Sequence, residues 1–150
     1  MPARPPDFAQ FDPKIADSFV RASASVTGLP AYLGIRIVEM TPGRLVATME
    51  VRAELLTPFG TLHGGVMAGF VDHALGCVLY PLMPRGQWAA TTEFKLNYLA
   101  AVRGGTLTAE STVAAFGKRT AVVRVEVTNG DQLACIAQGT LLVSEPAKRP

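Results

Sequence analysis

The chain has 150 residues, of which 49% are hydrophobic and 17% charged, and its formal net charge is +2. This composition is typical of a globular domain with a sizeable core and excludes a disordered chain. The small net charge and the scattered Lys and Arg residues exclude the strong basic field of a nucleic-acid-binding domain.

The chain reads as one domain over residues 1–150, with loose tails expected at 1–10 and 145–150. The first ten residues lack the apolar stretch of a signal peptide. The longest apolar run, 66–83, is shorter than the roughly 20 residues of a membrane span, so we expect a cytoplasmic protein. The two cysteines of the chain, Cys77 and Cys135, lie in apolar runs and lack the spacing of metal ligands, which predicts buried free thiols.

The first half of the chain contains one predicted helix and one predicted hairpin. Residues 11–28 begin with an Asp-Pro capping signal and place apolar side chains at helical spacing. Residues 32–40 and 44–51 alternate apolar and polar side chains around the turn at 41–43, which predicts a β-hairpin. The following segment, 52–60, is predicted to be a loop.

A long apolar helix is predicted at 61–80, followed by four strands. The first of these covers 89–100, and tight turns at 117–118 and 129–131 separate the other three. Four consecutive strands joined by tight turns predict an antiparallel meander, and the helix must be covered by its apolar face. The predicted fold is therefore α+β, an antiparallel sheet wrapped around one long central helix. This is the hotdog arrangement.

One face of the central helix carries a single carboxylate among very small side chains. The row consists of Gly65, Ala68, Gly69, Asp72 and Gly76. Each helical glycine costs roughly 1 kcal/mol relative to alanine, so the bare surface should have a use. Small residues could allow close packing, and Asp72 could be a hydrogen-bonded core group. We favour a nucleophile or general base beside a slot for substrate.

The same helix begins with His63, Gly64 and Gly65, which leaves unobstructed N–H groups at the positive end of the helix dipole. Such groups can stabilise an oxyanion during acyl transfer. Gly64 and Asp72 are eight residues apart, about 12 Å along a helix, so one chain cannot bring both to one carbonyl. Two antiparallel copies related by a two-fold axis could, which predicts an obligate dimer with shared sites.

Three segments, 61–76, 91–105 and 117–143, resemble the hotdog acyl-CoA thioesterases of the phenylacetate-pathway (PaaI-like) type. The related 4-hydroxybenzoyl-CoA thioesterases with a carboxylate on this helix resemble the chain almost as closely. The resemblance covers about residues 30–144, and its signature is His-Gly-Gly with an acid nine residues after the His. It implies hydrolysis of an acyl-CoA to a free acid and coenzyme A, without a separate cofactor, by a homodimer that further pairs into a homotetramer.

The resemblance also implies roles for individual residues. The Gly64 amide would polarise the thioester carbonyl, and Asp72 of the partner subunit would attack it or activate water. His63 is expected mainly to hold the helix start in shape. Thr57 stands where the family often has Asn or Gln. Thr91 matches a Ser or Thr near the attacking water.

Some family positions leave alternatives open. Thr92, the next residue along the chain, is the alternative to Thr91 for the role near the attacking water. Gly65 is expected to contribute to substrate binding. The turn containing Lys118 and Arg119 resembles the place where these enzymes hold coenzyme A phosphates, although a basic turn can also be merely solvated. His73 is expected to point about 100° away from Asp72 on the helix. No metal site is expected.

Two functions other than hydrolysis are compatible with a hotdog fold. A hotdog dehydratase acting on 3-hydroxyacyl thioesters would pair a His with an acid in a His-Phe-Pro context, but residue 77, fourteen after His63, is Cys. A non-catalytic acyl-CoA-binding regulator would not need a carboxylate at position 72. The sequence leaves the acyl group open between aromatic and medium-chain.

Overall fold

A computed structural model of the protein describes residues 6–145, and residues 1–5 and 146–150 of the predicted tails lie outside this range. Within it, the chain forms three α-helices, two short 3-10 turns and six strands. In chain order these are α1 (Pro13–Ala22), α2 (Leu29–Leu33), β1 (Arg36–Thr41), β2 (Arg44–Glu50), the turn Ala53–Leu55, α3 (Gly64–Cys77), the turn Tyr80–Leu82, β3 (Trp88–Tyr98), β4 (Thr106–Phe116), β5 (Thr120–Asn129) and β6 (Gln132–Ser144).

The six strands form one antiparallel sheet in the order β1-β2-β4-β5-β6-β3, with β1 and β3 at its two edges. The sheet curves around α3, which contacts β2, β3, β4, β5 and β6. Apolar side chains alternate along β2, β4, β5 and β6, and those on one face are buried, for example Leu107, Val123 and Leu141. The predicted α+β sheet around one central helix is confirmed.

The predicted four-stranded meander is wrong for its first strand. β3 pairs with β6, not with β4, and β4 pairs with β2 on its other side. The connection at 99–105 is too long for a tight turn and crosses beneath the start of α3, where Leu62 N donates to Val102 O at 2.7 Å. A connection of this kind carries no local signal for which strand will be the partner.

The N-terminal elements are shorter than predicted. α1 begins after Asp12, whose carboxylate caps it by accepting from Lys14 N at 2.8 Å, and ends at Ala22, not near residue 28. Tyr32 and Leu33, assigned to the start of the first strand, instead form the end of α2, which has Pro30 in its first turn and is followed by Gly34 in the left-handed conformation (φ +74°).

The apolar character of the central helix is explained by the sheet that covers it. The 19 residues Gly64–Leu82, which comprise α3 and the 3-10 turn after it, are long and apolar enough to cross a membrane, but 56% of their most apolar stretch is buried inside the protein. Phe70, Val71 and Leu75 are fully buried against the sheet. The two cysteines are buried and free, as predicted.

A buried hydroxyl ties α3 to the sheet. Ser111 on β4 is fully buried, and its Oγ donates to Ala74 O at 2.9 Å. We expect Ser111→Ala to lower the free energy of unfolding by about 1 kcal/mol, because a buried hydrogen bond is lost. Denaturant unfolding measures the change. The control is Ser25→Ala, because the exposed Ser25 Oγ donates to Ala22 O at 3.2 Å. An equally large fall in the free energy of unfolding for Ser25→Ala would contradict a special role for the buried Ser111 hydrogen bond.

Candidate active site

The start of α3 is fixed by its first residues. His63 is the N-cap, and its Nδ1 accepts from Gly65 N at 2.9 Å, so this nitrogen carries no proton and Nε2 does. The Gly64 N–H is in the first turn, where no helical acceptor precedes it, and no acceptor within residues 6–145 takes it. A free N–H at the positive end of a 14-residue helix can donate to an oxyanion.

Gly64 opens onto a cleft of about 460 Å³, here called the Gly64 cleft. Its lining includes Thr57, Thr61, Met67, Tyr98 and Leu99. The structure therefore brings Thr57 beside Gly64. The Thr57 Oγ1 lies 3.1 Å from Thr61 Oγ1 and also accepts from Phe59 N at 3.3 Å, so the turn at 57–60 holds the hydroxyl in place.

Tyr98 contacts Gly64 directly, which the sequence did not indicate. The Tyr98 hydroxyl donates to Gly64 O at 2.9 Å, although Tyr98 stands at the end of β3, 34 residues away. A Cβ placed on Gly64 would lie 2.8 Å from the hydroxyl oxygen and 3.1 Å from Cζ of the ring. A side chain at position 64 would therefore force Tyr98 or the start of α3 to shift.

Asp72 lies in a second cleft of about 550 Å³, here called the Asp72 cleft. Its lining consists of Phe19, Asp72, His73, Gly76, Cys77, Tyr80, Ala89 and Thr91. The structure brings Thr91 together with Asp72, whereas Thr92 is exposed at a β-bulge and donates its hydroxyl to Thr140 O at 2.9 Å.

The sequence left open that Asp72 is a hydrogen-bonded core group, and in the single chain this alternative is wrong. Asp72 is exposed, and no side chain among residues 6–145 forms a hydrogen bond or ion pair with it. The reason is the position of the small-residue row, which lies on the outer side of α3 and not on the side covered by the sheet. The carboxylate is therefore free to meet a substrate or a second subunit.

His73 lines the Asp72 cleft, although its spacing on the helix predicted that it would point away. Burial lowers the pKa of His73, with Asp72 opposing the shift, so the ring is mostly neutral at pH 7. Its Nε2 lies 3.6 Å from Cys77 Sγ. Burial raises the pKa of the Cys77 thiol to about 12, so this pair does not supply a thiolate nucleophile.

Two aromatic residues form a wall of the Asp72 cleft. Phe19 of α1 and Tyr80 stack with ring centroids 5.0 Å apart, and both line the cleft. Phe19 is one of the apolar residues at helical spacing in the predicted helix 11–28. Its spacing gave no signal for the cleft, because the contact depends on how α1 packs against the segment after α3.

The remaining predicted residues lie outside these two clefts. His63 and Gly65 face a third groove, with Leu29, Tyr32 and Val66. Lys118 lines a separate groove near Gln87 and Phe116, and Arg119 is exposed in the same β4–β5 turn. The turn is nevertheless at the same end of the sheet as the Asp72 cleft, because Thr120 and Ala90 both pair with Leu142 from opposite sides of β6.

The two clefts lie at the two ends of one edge strand. Tyr98 and Leu99, at the end of β3, line the Gly64 cleft, while Ala89 and Thr91, near its start, line the Asp72 cleft. On α3, positions 64 and 72 are separated by a rise of about 12 Å. A single chain therefore holds the candidate oxyanion donor and the candidate carboxylate in different clefts.

Comparison with known proteins identifies the family. Residues 59–136 match the Thioesterase superfamily. The chain is 31% identical over 122 residues to the 1,4-dihydroxy-2-naphthoyl-CoA hydrolase of Listeria monocytogenes, covering 81% of this chain and 99% of that protein. It is 34% identical over 101 residues to the acyl-coenzyme A thioesterase PaaI of Escherichia coli, covering 67% of this chain and 70% of that one.

The fold agrees with the same family. The solved structure of the E. coli PaaI protein from the phenylacetic acid degradation operon superposes with a TM-score of 0.79 at 26% identity, covering 89% of this chain and 96% of that chain. A thioesterase from Haemophilus influenzae superposes with a TM-score of 0.75 at 28% identity, covering 79% of this chain and 84% of that chain. The chain belongs to the thioesterase superfamily and is a thioester hydrolase with the hotdog fold.

Proposed function

We propose that the protein hydrolyses an aromatic or medium-chain acyl-CoA to the free acid and coenzyme A at sites shared between two subunits. The observation that carries this proposal is the division of the candidate groups, with the free Gly64 N–H in one cleft and Asp72 in another. A thioester carbonyl needs both a donor for its oxygen and an attacking group at its carbon.

The exposed edge of β3 supports a specific dimer. The midpoint between Thr91 and Tyr98 falls at Phe94 and Lys95. If two β3 edges pair antiparallel about this midpoint, Tyr98 of one chain lies opposite Thr91 of the partner subunit. The same two-fold axis brings the Gly64 cleft of each chain against the Asp72 cleft of the other. Pairing would also cover an 11-residue edge strand that otherwise offers unpaired backbone groups.

The proposed reaction follows from this arrangement. The Gly64 N–H donates to the thioester oxygen and stabilises the negative charge that develops there. Asp72 of the partner subunit either attacks the carbonyl carbon or removes a proton from an attacking water, which the Thr91 hydroxyl can orient. In the general-base route the carbon–sulfur bond then breaks, the sulfur takes the proton, and the acid and coenzyme A leave. In the nucleophilic route breakage of the carbon–sulfur bond releases coenzyme A, whose sulfur takes a proton, and leaves an acyl–Asp72 anhydride that water then hydrolyses to the free acid and the Asp72 carboxylate. The Thr57 hydroxyl, which lines the Gly64 cleft, would contact the same carbonyl.

The binding roles rest on charge and shape. Lys118 and Arg119 are exposed cations, and their turn is about 10 Å, two strand spacings, across the sheet from the start of β3. This distance allows them to hold coenzyme A phosphates while the thioester lies between the clefts.

The Phe19–Tyr80 stack beside Asp72 supports an aromatic acyl group, and the name of the Listeria relative also contains an aromatic acyl group. We place this reaction in the cytoplasm and propose that two dimers form a tetramer.

A panel of aryl- and alkyl-CoA thioesters, assayed for thiol release, tests the proposed function. We expect turnover of at least one class and no release of water from 3-hydroxyacyl-CoA. Binding of acyl-CoA without thiol release would support the non-catalytic regulator instead. Dehydration of 3-hydroxyacyl-CoA without hydrolysis would support the dehydratase.

Subunit mixing tests the shared site. We expect Asp72→Asn and Gly64→Val to be nearly inactive alone, and their refolded mixture to recover about a quarter of wild-type activity. Random pairing makes half of the dimers mixed, and each mixed dimer has one site with both groups intact. Activity is measured after co-refolding, with separately refolded and then combined proteins as the control. A co-refolded mixture that forms mixed dimers but stays inactive would contradict a shared site.

A further inference from the structure

We infer that Tyr98 is a positioning residue for the Gly64 oxyanion donor, an inference that rests on the proposed function. The Tyr98 hydroxyl donates to Gly64 O at 2.9 Å. Tyr98 also lines the Gly64 cleft, so the contact lies at the place where the thioester oxygen would bind.

The hydrogen bond from Tyr98 is half of a clamp on one peptide group. Gly64 O and Gly65 N belong to the same peptide unit. Its oxygen accepts from Tyr98, and its N–H donates to His63 Nδ1 at 2.9 Å. Both ends of this unit are therefore held by side chains, one from β3 and one from the helix N-cap. The adjacent unit carries the Gly64 N–H, which has no acceptor within residues 6–145, while the oxygen of that unit, His63 O, accepts from Val66 N at 2.9 Å.

This clamp matters because the donor is on a glycine. Glycine has more backbone freedom than any other residue, so an unheld Gly64 would let its N–H swing away from the substrate oxygen. An alanine would restrict the backbone, but its Cβ would lie 2.8 Å from the Tyr98 hydroxyl oxygen. The chain thus keeps glycine at position 64 and restricts it from outside, through Tyr98 and His63. An oxyanion donor is effective only when its direction is fixed before the charge develops.

The test is Tyr98→Phe, which removes only the hydroxyl. We expect kcat to fall about fivefold to tenfold, because one positioning hydrogen bond is lost, while KM changes little. The matched control is Tyr32→Phe. Tyr32 is 61% exposed against 58% for Tyr98, and its hydroxyl has no hydrogen-bond partner within residues 6–145. We expect this control to keep wild-type turnover.

Two inhibitors separate positioning from a general structural role. A trifluoromethyl ketone analogue of acyl-CoA forms a tetrahedral oxyanion-like adduct with water or a nucleophile, whereas an alkyl-CoA thioether has no carbonyl oxygen at the thioester position. We expect Tyr98→Phe to weaken the ketone by about the same factor as kcat/KM and to leave the thioether unchanged. Unchanged kcat, or an equal loss for both inhibitors, would overturn the inference. The proposed function would fail separately, if Gly64→Val kept full turnover.

Discussion

Replacing Asp72 with asparagine is expected to lower kcat by at least about 10²–10⁴-fold, the usual contribution of a general base. Asparagine keeps the size of the side chain but can neither accept the proton of an attacking water nor attack the carbonyl effectively. In the single chain Asp72 is exposed, and no partner within residues 6–145 holds it, so the substitution removes no contact of the subunit's own fold.

The same experiment should leave folding nearly unchanged. Exposed substitutions away from special features usually alter the free energy of unfolding by less than about 0.5 kcal/mol. Thermal melting of Asp72→Asn and of the control Asp131→Asn, an exposed carboxylate in the β5–β6 turn, checks this point. Near-normal hydrolysis by a folded Asp72→Asn dimer would return Asp72 to a merely polar surface group and contradict the mechanism.

The fold was largely predictable because its signals are local. Alternation of apolar side chains along 106–116 and 120–129 fixes which face of each strand is buried, and short turns fix their antiparallel neighbours. The partner of β3 was not predictable in the same way. Its pairing with β6 depends on a seven-residue crossing, whose path is set by contacts such as Leu62 N to Val102 O.

The parts of the site that lie on one helix could be predicted from the sequence, whereas the parts that depend on contacts between distant residues could not. The spacing of Gly64 and Asp72 follows directly from helical rise, so the need for a second subunit could be argued from sequence. The exposure of Asp72 could not, because it depends on which side of α3 the sheet covers. Tyr98 was missed for the same reason, since 34 residues separate it from Gly64.

Gly64 itself gives the second large effect. Gly64→Val is expected to lower kcat/KM by about 10²–10³-fold, the range seen when one oxyanion donor is lost. The valine N–H remains, but even its Cβ would lie 2.8 Å from the Tyr98 hydroxyl oxygen and 3.1 Å from Cζ of the ring, closer than such atoms pack. Either Tyr98 or the start of α3 must shift, and the two γ-methyl groups then occupy the Gly64 cleft where the thioester oxygen would bind.

A matched glycine separates this effect from a general intolerance of side chains. A Cβ on Gly104 would meet nothing within 4 Å, so Gly104→Ala should keep wild-type turnover. Gly64→Ala, which adds one methyl group, should fall between wild type and Gly64→Val. The losses of Gly64→Ala and Tyr98→Phe should combine to less than their product, because Tyr98→Phe also removes the nearer of the two clashing atoms while Cζ stays at 3.1 Å. Wild-type kcat/KM in a folded, dimeric Gly64→Val would show that the thioester oxygen binds elsewhere, since no substrate could then share the space beside this N–H with the new side chain.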